Sequence, residues 1–173
     1  MRSLVVYESM YGNTHRVAEV IGEGLGSSGE CTVVPVDRAG PELLDGIDLL
    51  VVGGPTHVHG MSRPSTRKSA PDAVKPDSDL SLDPDWAGDG VREWLEALED
   101  GGSGRAAAFD TRIDVSPVLS GRASKGIAKK LAKHGFALVA EPESFLVTKH
   151  THLEPDEDEH ARRWARDLLS AMS

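Results

Sequence analysis

Short apolar runs alternate with amphipathic segments along the chain, and this alternation constrains the fold more than any other feature of the sequence. The apolar runs predict β-strands at residues 4–7, 31–36, 47–53, 105–110 and 137–140, the last of which resumes at 145–147. Apolar residues at helical spacing predict helices at residues 15–25, 91–98, 126–134 and 156–171. Alternation of this kind predicts an α/β fold, in which a parallel sheet has helices on both faces.

Two prolines indicate how the five strands are ordered. Pro35 lies in the second strand and Pro142 interrupts the fifth. Because proline cannot donate a ladder hydrogen bond, both strands are predicted at sheet edges, which the order 2-1-3-4-5 satisfies. In such a doubly wound sheet, ligands bind beyond the carboxyl ends of the strands where the order reverses. The turns at 9–14 and 54–60 should therefore face each other, with the turn after strand four nearby.

Length and composition predict the domain organisation. A chain of 173 residues is most simply one domain, spanning residues 1–173. Residues 61–89 are rich in Ser, Pro, Asp and Lys and show no periodicity. We therefore expect a long surface loop or insertion there, with room for a short helical piece.

Charge and cysteine content argue against several partners and locations. The formal net charge of −9 disfavours nucleic acid, because phosphate backbones need basic patches. No window approaches the roughly 20 apolar residues of a membrane span, and the first residues do not resemble a signal peptide. Cys31 is the only cysteine, so no intrachain disulfide can form. We expect a cytoplasmic protein with no membrane partner.

The turn after the first strand, SMYGNT, has the composition of an anion site. It leads into a helix N-terminus, where unpaired N–H groups and the helix dipole favour negative charge. Ser9 and Thr14 add hydroxyl donors, Asn13 adds an amide, and Gly12 permits close approach of the backbone. A phosphate could be held by these neutral donors. The alternative is a plain strand-to-helix turn with Asn13 or Thr14 as N-cap.

The turn after the third strand, GGPTHVHG, adds polar groups at the same edge of the sheet. Its histidines, His57 and His59, could suggest a metal. Zinc usually needs three or four ligands, and no acidic or cysteine partner lies at suitable spacing, so we predict no metal site. His150 and His152 have the same spacing and are interpreted as surface residues.

The sequence resembles the flavodoxin-like family. The resemblance is carried by YESMYGNT after strand one and VVGGPTHVHG after strand three, while AAAFDT and GFALV agree in position. The run GMSRPSTR at residues 60–67 is similar to small flavodoxin-domain proteins of actinobacterial type. The resemblance implies a flavodoxin-like three-layer sandwich with a five-stranded parallel sheet. It also implies bound flavin mononucleotide (FMN) and a role in electron transfer or as a small flavin oxidoreductase.

The resemblance implies where the cofactor would bind. The first turn would hold the phosphate, and the turns after strands three and four would flank the isoalloxazine. The implied cofactor-binding residues are Ser9, Met10, Tyr11, Gly12, Asn13, Thr14, Pro55, Thr56, His57, Val58, His59, Gly60, Asp110, Thr111 and Arg112. Flavodoxins commonly place aromatic rings against the flavin. The flanking turns here lack Trp, Tyr and Phe, although Trp86 in the insertion could fold over or simply anchor the loop.

Two functions of different classes remain open. The first is an FMN-dependent electron carrier or oxidoreductase, in which the flavin supplies the chemistry and no catalytic side chain is predicted. The second is a binding or regulatory module of the same fold that has lost flavin. In an enzyme variant, Arg63, Arg67, Lys68 and Arg112 could bind an anionic substrate, or could be solvated loop charges. Nine acidic residues between Asp77 and Asp100 could steer a basic redox partner protein.

Overall fold

The structure, a computed structural model, describes residues 1–99 and 104–173. Its strands are β1 (Arg2–Tyr7), β2 (Glu30–Pro35), β3 (Leu49–His57), β4 (Gly60–Met61), β5 (Arg105–Ile113), β6 (Ala137–Leu138) and β7 (Glu143–Val147). Its α-helices are α1 (Asn13–Gly26), α2 (Pro64–Lys68), α3 (Ala70–Ala73), α4 (Val91–Ala97), α5 (Pro117–Ser120), α6 (Ala123–Lys133) and α7 (Glu157–Met172). Short 3-10 helices follow β2 at Val36–Arg38 and Pro41–Leu43.

The strands form one sheet in the order β2-β1-β3-β5-β6, with β7 also paired to β5. β6 pairs with the start of β5 and β7 with its end, both in parallel. They are therefore two halves of the predicted fifth strand, separated around Pro142, and the predicted strand order 2-1-3-4-5 is confirmed. The two-residue strand β4 was not predicted, and it folds back antiparallel on the end of β3.

Helices cover both faces of the sheet and create two apolar layers. On one face, α1 and α7 bury side chains such as Ile21 and Leu168 against β1, β3 and β5. On the other face, α4 and α6 bury Leu95, Ile127 and Leu131. Each fully buried side chain of this size contributes about 1.5–3 kcal/mol to stability. The layers fix the sheet rigidly, so the turns at its carboxyl edge are held in defined positions.

Residues 61–89 contain more structure than a loop. β4, α2 and α3 lie in the first half of this segment, and Asp83 is buried later in it. The N–H of Asp83 donates to the carbonyl of Met10 at 2.8 Å, and the carboxylate of Asp83 lies 2.9 Å from Nδ1 of His15. The His15 ring in turn stacks on Tyr7 with centroids 4.4 Å apart. The insertion is thus attached directly to the first turn and α1.

None of the helices formed by the described residues is long and apolar enough to span a bilayer.

Candidate functional site

A pocket opens at the carboxyl ends of β1, β3, β5 and β7, where the strand order reverses. Its volume of about 190 Å³ is several times that occupied by one water molecule, so it can hold a larger ligand. Its walls are formed by Ser9, Met10, Tyr11, Asn13, Thr14, Pro55, Thr56, His57, Thr111, Arg112, Ile113, Ser120, Val147, Thr148, Lys149 and Thr151. The predicted meeting of the turns after strands one, three and four is therefore present.

Ten of the fifteen predicted cofactor residues line this pocket: Ser9, Met10, Tyr11, Asn13, Thr14, Pro55, Thr56, His57, Thr111 and Arg112. The other five, which are Gly12, Val58, His59, Gly60 and Asp110, are not among the lining residues. Their contacts with a cofactor remain predictions, as do those of the ten.

The first turn presents a helix N-terminus to the pocket. Gly12 adopts φ +88°, a left-handed conformation that glycine accepts without strain, and its N–H donates to Oγ of Ser9 at 3.0 Å. No side chain caps the N-terminus of α1, and its first turn contains no acidic residue. The N–H groups that begin this 14-residue helix are therefore available to an anion.

A hydroxyl pair joins the first turn to the end of β5. Oγ1 of Thr14 and Oγ1 of Thr111 lie 2.7 Å apart, and both residues are buried. On the other side of the first turn, the side-chain amide of Asn13 donates to the carbonyl of Thr151 at 2.7 Å. The first turn is thus fixed between β5 and the segment after β7.

The end of β3 turns back through a two-residue hairpin loop. Its loop residues, Val58 and His59, have φ of 45° and 71°, which is strained for residues other than glycine. His59 forms a bridge with Gly121 beyond α5, and Oγ1 of Thr56 accepts the N–H of Ala123 at 2.9 Å. The hairpin is therefore braced against the segment that follows β5.

His57 faces the pocket, and burial lowers the pKa of its ring below the usual value. The desolvated ring favours the neutral form, since the charged form loses its hydration on burial. At neutral pH His57 therefore offers one N–H donor and one acceptor rather than a positive charge.

Arg112 and Asp110 point to different surroundings at the end of β5. Nη1 of Arg112 donates to the carbonyls of Ile113 and Val115 at 3.3 and 2.8 Å, and lies 3.4 Å from Oγ of Ser120. Asp110 is completely buried, and its Oδ2 accepts the N–H of Ser124 at 2.7 Å. Asp110 thus caps the start of α6, whereas Arg112 forms part of the pocket wall.

Six lining residues were not among the predicted cofactor-binding residues: Ile113, Ser120, Val147, Thr148, Lys149 and Thr151. Val147 ends the fifth strand and three others follow it, and the carboxyl end of this strand lies at the same edge of the sheet as the other turns. That rule could have identified them, but the interruption at Pro142 obscured where the strand ends. Lys149 is the important addition, because it brings a second positive charge to a pocket whose lining contains no carboxylate.

The structure shows which of the two candidate aromatic side chains, Tyr11 and Trp86, lies at the pocket. Tyr11 lines the pocket, and its hydroxyl donates to the carbonyl of Ala70 at 3.1 Å, so α3 of the insertion holds the ring in place. Burial raises the pKa of Tyr11 above its ordinary value. Trp86 is not a lining residue, and the neighbouring Asp85 pairs with Arg38 at 2.9 Å. Trp86 therefore does not fold over this pocket, whose aromatic side chain is Tyr11.

Arg67 is neither a solvated charge nor free to bind a substrate, which corrects both sequence interpretations of it. It is 6% exposed, and its Nη1 donates to Oγ of Ser62 at 2.8 Å while Nη2 contacts Glu93 at 2.9 Å. Ser62 donates to the buried Glu8, which also accepts the N–H of Val91 at 2.9 Å. Burial raises the pKa of Glu8. This network fastens the insertion to the end of β1, one residue before Ser9.

Within the part of the chain that the structure describes, no cluster of three or more His, Cys, Asp or Glu side chains could hold a metal ion. His152 instead lies 3.1 Å from Asp79 of the insertion.

Comparison with known proteins relates part of the sequence to a known family. The sequence model of the flavodoxin family matches residues 5–75, which include the turns after the first and third strands. This match confirms the predicted resemblance to flavodoxin-like proteins over that part of the chain. The narrower resemblance to actinobacterial proteins stays a prediction. No curated protein matches the sequence.

Solved structures extend the likeness to the whole fold. Oxidised flavodoxin 1 from Bacillus cereus is 19% identical with a TM-score of 0.65, over 98% of each chain. A flavodoxin from the domain Archaea is 20% identical with a TM-score of 0.66, over 99% of each chain. Rubredoxin oxygen:oxidoreductase from Desulfovibrio gigas is 16% identical with a TM-score of 0.62, over 99% of this chain and 36% of that one. These likenesses establish the predicted flavodoxin-like fold.

Proposed function

We propose that this chain, a flavodoxin-like protein, binds FMN in the pocket at the switch point of its sheet and transfers electrons between redox partners. One observation carries the proposal above the others: the uncapped N-terminus of α1 opens into a pocket that two cations and several hydroxyls line. A phosphate needs such a donor set, and a strand-to-helix turn that bound nothing would not require it. When bound, the flavin would supply the redox chemistry, accepting and releasing electrons.

The phosphate would lie against the first turn. Asn13 and Thr14, the first residues of α1, line the pocket there, and no side chain caps the N–H groups that begin the helix. Lys149 also lines the pocket, in the segment that Asn13 contacts through the carbonyl of Thr151. This arrangement combines neutral donors with one charge, which suits a phosphate at the end of a flexible chain.

The isoalloxazine would lie against the ends of β3 and β5, which are paired as neighbours up to Pro55 and Thr111. Pro55, Thr56 and His57 line the pocket from β3, and Thr111, Arg112 and Ile113 line it from β5. Tyr11 offers the aromatic ring that the flanking turns lack. These residues would orient the ring and exclude water from one side of it.

Electron transfer would occur at an apolar rim beside the pocket, formed by exposed residues that are close in sequence to the lining residues His57, Ile113 and Ser120. We define this rim as Val58, Ile113, Val115, Val118 and Leu119, all of which are exposed, with Val58 at 83% and Val118 at 87%. Exposed apolar residues grouped in this way mark protein–protein contacts on soluble proteins. A redox partner seated on this rim would approach the flavin edge through the open side of the pocket.

The proposal is tested by titrating the purified protein with FMN and following flavin absorbance and heat. We expect one FMN per chain, with riboflavin binding more weakly because it lacks the phosphate. Asn13→Asp adds a carboxylate to the first turn of α1 and should weaken FMN far more than riboflavin. Ser28→Asp adds the same charge beyond the other end of the helix and serves as its control. Protein that takes up no FMN in excess flavin would contradict the proposal and leave the flavin-free binding module as the remaining function.

A further inference from the structure

We propose that Arg112 sets the redox balance of the site: its fixed positive charge stabilises the reduced, anionic form of the flavin more than the oxidised form. The inference rests on the proposed binding of FMN. The inference adds to that proposal a specific role for one side chain, which is to favour two-electron reduction of the cofactor.

The guanidinium of Arg112 is held in one position. The carbonyls of Ile113 and Val115 accept from its Nη1, and Oγ of Ser120 lies at the edge of hydrogen-bond distance. Ile113 ends β5, and Val115 and Ser120 belong to the segment between β5 and α6, which the bridge from His59 to Gly121 braces. A charge fixed in this way costs little reorganisation when the charge of a nearby ligand changes.

One donor of Arg112 lacks a protein acceptor. Its Nε is buried, yet it forms no hydrogen bond with the described residues. A buried polar group without a partner is unfavourable, and in native proteins such groups usually meet a ligand or ordered water. Flavin rings carry a carbonyl oxygen and an adjacent ring nitrogen that accept hydrogen bonds. Either could satisfy this donor, and both share the negative charge of the reduced ring.

No carboxylate neutralises Arg112 within the pocket lining. The nearest carboxylate in sequence on the same strand, Asp110, is buried and accepts from the N–H of Ser124 at the start of α6. Asp114 follows the strand and is exposed. Lys149 adds a second cation rather than compensating the first. The local charge is therefore positive in a protein whose formal net charge is −9.

The positive charge at the pocket should affect the bound flavin more than the net negative charge of the whole protein does. Exposed carboxylates act on the flavin through water and salt, and their effect decays over a Debye length of about 8 Å at physiological ionic strength. The half-buried guanidinium of Arg112, whose Nε is shielded from solvent, would act on a flavin in the pocket over a short distance and with less screening. Addition of two electrons and one proton to oxidised FMN leaves one negative charge on the ring. That charge forms next to Arg112, so the reduced form gains the larger stabilisation.

The test compares the midpoint potential of bound FMN in matched variants, measured by spectroelectrochemistry with an electrode as the electron source. Arg112→Gln keeps the length and an N–H donor but removes the charge. We expect its preference for reduced over oxidised FMN to fall about tenfold, which lowers the two-electron midpoint potential by about 30 mV. Lys75→Gln removes the same charge from an exposed residue outside the pocket lining, and it should leave the potential unchanged.

A second variant covers the case in which Arg112→Gln does not fold. Ser120→Asp places a carboxylate beside Nη1 of Arg112 and should lower the potential in the same direction. If FMN binds and the potential of either folded variant equals that of the unmodified protein, the role of Arg112 is refuted. If the unmodified protein does not bind FMN, the proposed function fails instead, and the two failures are distinguished by the first titration.

Discussion

The hydroxyls of Thr14 and Thr111 lie 2.7 Å apart in the interior of the protein, although the two residues are 97 positions apart in sequence. Each hydroxyl is the other's partner, and both side chains also line the pocket. The pair therefore connects the start of α1, where the phosphate would bind, to the strand whose end carries Arg112. A substitution at one threonine should therefore leave the hydroxyl of the other without its hydrogen-bond partner.

Thr14→Val and Thr111→Val should each destabilise the protein by about 1–3 kcal/mol, because each leaves one buried hydroxyl without a partner. The double variant should cost less than the sum of the single ones, since it removes both hydroxyls together. Urea denaturation of the four proteins gives this coupling. Thr14→Ser, which keeps the hydroxyl, is the control, and strictly additive losses would show that the pair contributes nothing.

Ser9→Ala and Thr14→Ala should weaken FMN more than riboflavin. Each hydroxyl lies at the proposed phosphate position, and a hydrogen bond to a charged group contributes about 1.5–3 kcal/mol. We expect an affinity loss of roughly tenfold or more for FMN and little change for riboflavin. Calorimetry with both ligands measures the difference. Equal losses for the two flavins would mean that these hydroxyls do not contact the phosphate.

Glu8 should give the protein a distinct pH dependence of stability. Burial raises its pKa in the folded state, so the folded protein holds this proton more tightly than the unfolded chain does. The associated stability is complete below the unfolded pKa, near 4.5, and is lost as the pH rises through the raised value. Glu8→Gln removes this loss. Its stability relative to the unmodified protein should therefore increase from pH 4 to pH 7 in urea denaturation, and a pH-independent difference would contradict the assignment.

Val58→Asn should stabilise the protein. Val58 is the first residue of a two-residue hairpin loop at φ 45°, where a β-branched side chain is strained and asparagine is favoured. Relief of such strain is worth on the order of 1 kcal/mol. Val118→Asn is the matched control, because Val118 is equally exposed on α5 and has no positive φ. Thermal unfolding measures the difference. If the unfolding temperature shifts equally in both variants, relief of backbone strain is excluded as the cause.

The sequence predicted the sheet order and the turns that meet at the pocket, because apolar periodicity and proline positions are local signals. The burial of Arg67 could not be read locally, since it depends on Glu8 and Glu93, which only the folded chain brings together. The hairpin at Val58 and His59 lacks the Asn-Gly pair that usually marks such loops. Lys149 was missed because it follows a broken strand and has no motif around it.

The final prediction concerns the acidic run from Asp77 to Asp100, of which Asp100 lies outside the described residues. Sequence alone suggested that Asp85, Asp89 and Glu93 would contribute to steering a basic partner. The structure pairs two of them, Asp85 with Arg38 and Glu93 with Arg67 at 2.9 Å each, so that their charges are largely compensated. Replacing Asp85 or Glu93 would break an ion pair. A change in the rate of reduction could then come from lost stability instead of lost attraction to the partner.

Three other members of the run, Asp77, Asp89 and Glu99, are exposed and form no ion pair with the described residues. If the run attracts a basic redox partner, reduction of bound FMN by a basic reductase should slow several-fold from low to high salt, as screening shortens the range of attraction. Replacing these three residues with Asn, Asn and Gln should flatten that dependence without loss of stability. Lys75→Gln, an opposite charge change in the same insertion, should steepen it. The rate is measured by stopped flow. If it does not change with salt in the unmodified protein, electrostatic steering is excluded and the apolar rim remains as the proposed docking surface.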